Sequence, residues 1–381
     1  MHRALRFPLL AAAAASLLLA GAMTASAAST PSLPQPSSYN RLAGVSCLSA
    51  SNCWAVGRSQ DMNNNVTGEI LRWTGSWAQI STPTANGALD GISCTSASSC
   101  WAVGNVGNGQ TFPRPLTVHW NGSAWTKVGT PNVPRDVLNA VSCTSAANCW
   151  AVGDYARFNR TLAIHWNGGN WTRVTTPNPS TKYGASLESV ACPSAKSCWA
   201  LGYYYAAPLK PTVTAYIIAV HWNGSAWKVA WTSAPYLGAD SSASVHVGVS
   251  CLSTRDCWVA GWSSLSPLDY HPILIHWNGR NWLPVRPPRF KAASLDSVDC
   301  SSAADCWAVG NIGTFLGTHS LALHWNGARW SRAAAPSTSG SLADVSCTAS
   351  TNCWAVGEQD AGSTSLNLAD HWGGTTWSSL S

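Results

Sequence analysis

The sequence predicts an all-β fold made of seven copies of one four-stranded unit, and three observations predict it. The 14 Cys residues form seven pairs, each with five residues between its two members. The second Cys of every pair precedes a Trp, and a Gly follows four residues after that Cys. Outside the N-terminal leader, no stretch longer than about ten residues has the apolar spacing of a helix. Seven such sheets arranged radially form a β-propeller, so we predict a seven-bladed β-propeller with four antiparallel strands per blade.

Each copy divides into four short strands, as residues 138–174 illustrate. The first strand ends in a Leu-x-x-Val-Ser-Cys segment that alternates apolar and small residues. The second is Cys-Trp-Ala-Val-Gly, which places Trp and Val on one side and Ala on the other, the period-two pattern of a strand. The third is the apolar run that ends in His-Trp. The Asn-Gly that follows favours a hairpin into a fourth strand, which begins at the next Trp.

The His-Trp pair recurs in six of the seven copies, and the first copy has Arg72 in place of the His. A residue that recurs in every blade serves packing or turn geometry, because a single active site needs asymmetry. No His-x-x-x-His or Cys-x-x-Cys spacing accompanies these His residues. We therefore predict structural roles for them and no metal site.

The N-terminus has the features of a secretory signal peptide over residues 1–28. Two arginines precede an apolar run at residues 9–20, and residues 25–27 have the small-x-small pattern that signal peptidase cuts. The run is shorter than the 20 or so apolar residues that a membrane span needs. Residues 29–40 are rich in Pro and Ser and predict a linker with little to bury. The propeller then occupies residues 41–381 of a secreted, extracellular protein with no membrane span.

An even number of Cys residues in an exported protein favours disulfides over thiolate metal ligands. Antiparallel neighbours bring their α-carbons within disulfide range, so each pair is expected to join strands one and two of a single blade. The predicted disulfides are Cys47–Cys53, Cys94–Cys100, Cys143–Cys149, Cys192–Cys198, Cys251–Cys257, Cys300–Cys306 and Cys347–Cys353.

Composition excludes several partners. Only 10% of the residues are charged and the formal net charge is +6, whereas a nucleic-acid-binding protein is usually more basic and more clustered. Gly-rich phosphate loops, a nucleotide-binding fingerprint and a nucleophile elbow are absent from the sequence. We therefore expect no cofactor and no nucleic-acid partner, and a monomer.

The repeats resemble those of a known group. Cys-Trp-Ala-Val-Gly followed by Asn-Gly-x-x-Trp is similar to the Trp-Ala-Val-Gly and Asp-x-Gly-x-Thr-Trp signatures of the bacterial neuraminidase repeat and of photosystem II assembly factor-like propellers. Residues 371–377 come closest, and the resemblance covers residues 41–381. It implies a sialidase-superfamily-like propeller fold. The Asp of that signature is replaced by Trp, so the resemblance implies little about activity. The Ala-rich leader and Trp-heavy repeats suggest a bacterial source.

Spacing indicates which face of the propeller varies. The two Cys of each pair are always six positions apart, whereas the step from the strand-two Gly to the His-Trp Trp ranges from 13 to 20 residues. The step from the strand-four Trp to the next unit ranges from 17 to 24 residues. Both variable segments belong to the same face, and loops on a rigid scaffold are where binding usually occurs.

The seven residues that directly follow the strand-two Gly, one in each unit, are expected to surround the mouth of the central channel on this face. The ligand-binding candidates are these residues and one neighbour, namely Arg58, Asn105, Asp154, Tyr203, Tyr204, Trp262, Asn311 and Glu358. Nearby loops add Asp61, Asn63, Asn64, Asn65, Gln110, Phe112, Arg114, Tyr155, Arg157, Tyr205, Tyr270, His271, Phe315, His319 and Asp360. Aromatic faces with amides and a few charges suit sugar rings or an extended peptide.

Three functions remain open. The first is a non-catalytic secreted propeller that binds an extracellular glycan or protein through its variable loop face. The second is a sialidase-like glycoside hydrolase that uses rim carboxylates with Arg58, Arg114 and Arg157, although sialidases carry an Arg-Ile-Pro segment that this sequence lacks. The third is a cell-surface scaffold without a small ligand.

Overall fold

The computed structural model describes residues 32–107, 112–131, 135–155, 160–179, 183–206, 213–234, 236–238, 244–264, 270–314, 317–334 and 339–380. Every helix or strand element in these ranges is a β-strand. The described part of the chain contains no helix that could span a bilayer.

The strands in these ranges fall into seven consecutive units. Unit 1 contains β1 (Tyr39–Ser49), β2 (Asn52–Gln60), β3 (Val66–Trp73) and β4 (Trp77–Gln79), and unit 2 contains β5 (Gly87–Ser96), β6 (Ser99–Val106), β7 (Arg114–Trp120) and β8 (Trp125–Val128). Unit 3 contains β9 (Val137–Ser145), β10 (Asn148–Tyr155), β11 (Arg160–Trp166) and β12 (Trp171–Val174). Unit 4 contains β13 (Ala185–Ser194), β14 (Ser197–Tyr205), β15 (Val213–Trp222), β16 (Trp227–Thr232) and β17 (Tyr236–Gly238). Unit 5 contains β18 (Ser244–Ser253), β19 (Asp256–Ser264), β20 (Tyr270–Trp277) and β21 (Trp282–Val285). Unit 6 contains β22 (Ala293–Ser302), β23 (Asp305–Thr314), β24 (Gly317–Trp325) and β25 (Trp330–Ala333), and unit 7 contains β26 (Ser341–Ala349), β27 (Asn352–Asp360), β28 (Ser365–Trp372) and β29 (Trp377–Leu380).

Hydrogen bonding groups these strands into repeated antiparallel sheets. Units 2, 3, 5 and 6 are four-stranded sheets, and unit 4 has five strands because β17 also pairs with β15. Units 1 and 7 form one eight-stranded sheet, joined by a single parallel pairing of Tyr39 with Ser365. The predicted all-β class is confirmed for the described residues, and the repeated four-stranded sheets fit a propeller.

Contacts between units follow one order and return to the start. The first strand of each unit contacts the first strand of the next, from β1 to β26, and β26 contacts β1. Each strand-two Trp packs against two Trp residues of the following unit; for Trp101 the ring centroids are 4.7 and 5.0 Å away. Trp354 of unit 7 packs in the same way against Trp73 and Trp77 of unit 1, at 4.6 and 5.2 Å. The apolar core therefore lies between neighbouring units.

A second set of contacts between units lies on the first strands. In units 1, 2, 3 and 7 the Ser before the first Cys accepts a hydrogen bond from the backbone N–H of the next unit's first Cys. The distance is 3.0 Å from Cys192 N to Ser142 Oγ, and 3.1 Å from Cys47 N to Ser346 Oγ across the interface of units 7 and 1. In unit 6 the carboxylate of Asp299 accepts instead.

The recurrent His residues pack against the strand-two Trp of their own unit. In unit 3 the rings of His165 and Trp150 lie 4.5 Å apart, and His165 Nε2 lies 2.6 Å from Asn148 Oδ1. In unit 1, which lacks the His, the guanidinium of Arg72 lies 5.0 Å from the Trp54 ring centroid. A cation over an indole face replaces the imidazole there. These contacts are the packing role that their recurrence predicts.

Each unit contains one disulfide between its first and second strands. All seven predicted pairs form, with their α-carbons 4.0 Å apart. The bonds lie beside the turn that joins strands one and two, at the opposite end of the second strand from its Gly. The prediction of one disulfide within each unit is confirmed.

The Gly at the end of the second strand recurs because strand one approaches it closely. A Cβ on Gly104 would lie 2.1 Å from the backbone oxygen of Ala88, and the equivalent distances in the other units are 1.9 to 2.2 Å. No side chain fits at that distance. In six units the first strand is bulged beside this Gly, and the bulge positions the candidate site.

Residues 32–38, predicted to be part of a linker, contact the interface of units 7 and 1. Leu33 is 2% exposed and packs into the core between these units. Gln35 Nε2 donates to the backbone oxygen of Asn367 at 3.0 Å, and Asn367 N donates to Gln35 Oε1 at 2.6 Å. The expectation that this segment buries little does not hold for Leu33, because its side chain fills a gap where the first and last units meet.

Candidate functional site

A bulge in the first strand directs one extra side chain into the central channel. In six units the strand register shifts next to the strand-two Gly and skips residues 43, 90, 139, 188, 296 and 343. All six line a cavity of about 640 Å³ where the first strands surround the channel. Unit 5 has no register shift next to its strand-two Gly, and its His246 lines the same cavity. The bulge residues therefore bring carboxylates of units 2, 4 and 6 to the channel, which Asp299 and Asp344 also line.

Charged side chains of the channel form an ion pair and a hydrogen bond between neighbouring units. Glu188 Oε2 lies 3.4 Å from His246 Nδ1. Burial alone would lower the pKa of His246, but the hydrogen bond and charge of Glu188, together with the charge of Asp296, outweigh burial and raise it. Trp262 Nε1 donates to Asp296 Oδ1 at 3.3 Å. Units 4, 5 and 6 thus share one polar network at the channel.

A second network holds Asp90 of unit 2. Its Oδ2 accepts a hydrogen bond from Asn105 Nδ2 at 3.1 Å. Burial raises the pKa of Asp90 to about 6, although the charges of Arg58 and Arg41 and the Asn105 hydrogen bond oppose the rise. Asp90 is thereby a carboxyl group that changes charge close to neutral pH.

A larger groove of about 1410 Å³ opens beside the channel, lined by residues of units 1, 5, 6 and 7. Arg41, Trp262, Asp296 and Ala343 line both the groove and the channel cavity, so the two spaces adjoin each other. Its remaining walls come from the connection between β21 and β22, from the ends of β23, β24 and β25, from the start of β26, and from the segment between β27 and β28. These parts of the chain lie in the length-variable segments on which the sequence predicts binding.

Four of the eight ligand-binding candidates predicted from the sequence line at least one of the two cavities, and the other four line neither. Arg58 and Trp262 line the channel cavity, and Trp262, Asn311 and Glu358 line the groove. These side chains also reach toward the next unit. Asn311 Nδ2 donates to Ser341 Oγ at 3.1 Å, and Trp262 donates to Asp296.

The other candidates contact neither cavity. Asn105 supports Asp90 as described above. Asp154 is 1% exposed and accepts a hydrogen bond from Ser186 Oγ of the next unit at 3.3 Å. Tyr203 packs against Tyr205 at 5.3 Å, and Tyr204 stacks on Tyr216 at 5.0 Å. The seven residues that follow the strand-two Gly therefore do not all surround the channel mouth. Some of them, such as Asp154, contact the neighbouring unit instead.

The loop candidates divide in the same way. Tyr270 and Asp360 line the groove. Asp61 holds its own loop, since its Oδ1 accepts hydrogen bonds from the N–H groups of Asn63 and Asn65 at 2.8 and 2.9 Å. A side-chain hydrogen bond from Asn65 is the main reason that the pKa of Asp61 is lowered. Gln110, Arg157 and Phe315 lie outside the described residues, and no cluster of His, Cys, Asp and Glu in the described ranges could hold a metal ion.

Sequence reasoning missed the channel residues Asp90, Glu188, His246 and Asp296, and the groove cations Arg41, Arg289, Lys291 and Arg332. A signal for the first set exists. The Leu and the apolar residue three positions later in the first strand are both buried. In a regular strand, residues three positions apart lie on opposite faces, so burial of both indicates a bulge between them. The residue that follows the Leu is also charged or polar in four units.

Comparisons with known proteins identify the fold. No protein-family model matches the chain, and no curated protein matches it. Among solved structures, YCF48 bound to D1 peptide is 12% identical with a TM-score of 0.53, over 90% of this chain and 93% of that one. YCF48 from Cyanidioschyzon merolae is 13% identical with a TM-score of 0.51, over 88% and 97%. An ulvan lyase of polysaccharide lyase family PL25 is 7% identical with a TM-score of 0.56, over 92% and 97%. These neighbours are β-propellers, and the chain shares their fold.

Proposed function

We propose that the protein is a secreted seven-bladed β-propeller that binds an extracellular glycan or protein, without catalysis, through its variable loop face. One observation carries the proposal: the groove and the channel cavity adjoin each other and lie where the length-variable segments meet. In contrast, the disulfide-linked turns belong to the opposite ends of the strands.

Two features support the number of blades and the location. The Trp and Ser contacts between units 7 and 1 are of the same kind as those between other neighbours, as expected for a ring of seven blades. Seven disulfides suit an oxidising compartment, in agreement with the predicted signal peptide. Propellers with the same fold include one whose structure was solved with a bound peptide and another described as a polysaccharide lyase, and both descriptions are compatible with a binding face.

The proposed contact residues are Arg58, Trp262, Asn311 and Glu358. Trp262 is central among them because it lines both spaces and its ring packs against Tyr270 at 5.2 Å in a T-shaped pair. An exposed part of an indole beside polar groups suits the apolar face of a sugar ring or a peptide side chain. Asn105, Asp154 and Tyr203 are assigned supporting roles.

The test is a screen of the purified protein on immobilised glycans and extracellular proteins, with Trp262→Ala and Tyr204→Ala measured alongside. We expect Trp262→Ala to weaken binding by about tenfold or more, since an aromatic anchor in an interface contributes 2 kcal/mol or more. Tyr204→Ala is the matched aromatic control and should bind like the wild type. Equal binding by wild type and Trp262→Ala, with both proteins folded, would place the site elsewhere.

A further inference from the structure

The groove contains three cations that no described carboxylate neutralises. Arg289 and Lys291 lie in the connection between β21 and β22, and Arg332 lies on β25. All three are exposed, and no ion pair within the described ranges includes any of them. Charged side chains that converge on a concave surface without partners provide charge complementarity for an anionic ligand.

The carboxylates in the groove are already engaged. Glu358 accepts a hydrogen bond from Ser365 Oγ at 3.0 Å and lies 4.0 Å from Arg41. Asp360 Oδ1 accepts the backbone N–H of Gly362 at 3.1 Å. Both belong to unit 7, and the third carboxylate of the groove, Asp296 of unit 6, accepts a hydrogen bond from Trp262 Nε1 at 3.3 Å. The three cations belong to unit 6 and to the segment leading into it. The positive charge of that side is thus available to a ligand.

Aromatic rings line the same groove. Tyr39 is 45% exposed, Phe290 is partly buried between Arg289 and Lys291 in the chain, and Trp262 forms its T-shaped pair with Tyr270. Pyranose rings present apolar faces that pack on such side chains, while their hydroxyls meet amides and hydroxyls such as those of Asn311 and Ser341. Rings alternating with cations therefore favour a charged sugar over a charged peptide.

The groove is larger than a small-molecule site. Its volume of about 1410 Å³ exceeds the roughly 300–1,000 Å³ typical of pockets that enclose one drug-sized ligand. It also adjoins the channel cavity, with which it shares four lining residues. A chain of several linked sugar units would fit the groove, whereas a single sugar would leave most of its lining residues without a contact.

We infer that this groove binds an acidic polysaccharide, whose carboxylates or sulfates pair with Arg289, Lys291 and Arg332 while its rings pack on Trp262 and its aromatic neighbours. The inference rests on the proposed function and specifies its ligand class. Guanidinium and ammonium groups bind both anions with charge-assisted hydrogen bonds, so the shared chemistry is a sugar polymer with one anionic group per unit or per few units.

The experiment compares matched polymers that differ only in charge. Dextran sulfate is tested against dextran, and polygalacturonate against its methyl ester, by surface plasmon resonance on the purified protein. We expect binding to the charged member of at least one pair and little to its neutral counterpart, and the two pairs distinguish sulfate from carboxylate. Binding should weaken as the ionic strength rises, because exposed charges are screened.

Variants connect the binding to these residues. Arg289→Ala with Lys291→Ala should weaken binding by about tenfold or more, since two charge-assisted hydrogen bonds to the ligand would be lost. Arg286→Ala, in the same connection but outside the groove lining, is the matched control and should bind like the wild type. Arg329→Ala, in the turn between strands three and four, controls for general surface charge and should also leave binding unchanged.

Each other outcome overturns the inference. Equal losses in the control variants would mean nonspecific charge attraction, and equal binding of poly-glutamate would mean that sugar is not the feature recognised. Capture of neutral glycans that depends on Trp262 would leave the proposed function intact and refute the acidic ligand. Failure to bind any glycan or protein would refute both.

Discussion

Replacing Glu69 should remove a pH dependence of stability that this side chain imposes. Glu69 pairs with the strand-two Gly57, a position occupied by Leu or Ile in the other six units. It is 1% exposed, and its Oε1 accepts a hydrogen bond from Asn367 Nδ2 of unit 7 at 2.7 Å. Its Oε2 has no partner among the described residues.

The magnitude follows from the pKa. Burial raises the pKa of Glu69 from 4.5 to about 7, and the hydrogen bond from Asn367 offsets only part of that rise. Because the folded-state pKa exceeds the unfolded one, the folded state binds the proton more tightly and stability is greatest below pH 4.5. As the pH rises through 7, about 3 kcal/mol of unfolding free energy is lost, at roughly 1.4 kcal/mol per pKa unit.

Glu69→Gln keeps the shape and the acceptor but carries no charge. We expect its unfolding free energy to exceed that of the wild type by up to about 3 kcal/mol at pH 8 and to match it at pH 4, measured by urea denaturation at both values. Glu358→Gln, which removes a carboxylate from the exposed groove, controls for the change in net charge and should differ little at either pH. A Glu69→Gln difference that is equal at pH 4 and pH 8 would refute the reasoning.

Three further results are expected from urea unfolding. Asp370, fully buried where the other units have Leu, Val or Ile, has a pKa that burial raises to about 7, so Asp370→Asn should stabilise the protein above pH 7 and not at pH 4; stabilisation at pH 4 would contradict this. Ser346→Ala removes the acceptor of the Cys47 N–H between units 7 and 1 and should cost about 1 kcal/mol, as much as Ser142→Ala does between units 3 and 4. No loss in Ser346→Ala alone would mean that the ring is open. Replacing both members of the Cys94 disulfide by Ser should cost about 2 kcal/mol by loop entropy and leave ligand affinity unchanged, whereas lost affinity would argue that the two faces are coupled.

Local periodicity made most of the scaffold predictable. The four strands, their hairpins and the seven disulfides follow from segments such as Cys143–Gly153, where alternation and spacing are repeated with little change. The packing partners of the strand-two Trp residues were harder to predict from the sequence. The two Trp residues that pack on Trp101 belong to the next unit, and this contact depends on the radial arrangement of the sheets and not on any local pattern.

The candidate site was predicted in its location more than in its residues. Trp262, Asn311 and Glu358, which follow from the variation in loop length, line the groove. Tyr204 and Asp154 line neither cavity, and they contact Tyr216 and Ser186. The channel residues were missed because regular alternation was assumed along the first strand. A bulge shifts the register by one residue and moves the side chains beyond it to the other face.

The placement of the disulfides has a consequence for how such a molecule can change. Every covalent crosslink lies at the turns between strands one and two, while the segments between units carry none. Insertions, deletions and substitutions in those segments leave the crosslinks and the indole cores in place. The architecture thus separates the residues that hold the fold together from those that form the variable face, which makes the same framework suitable for grafting new specificities.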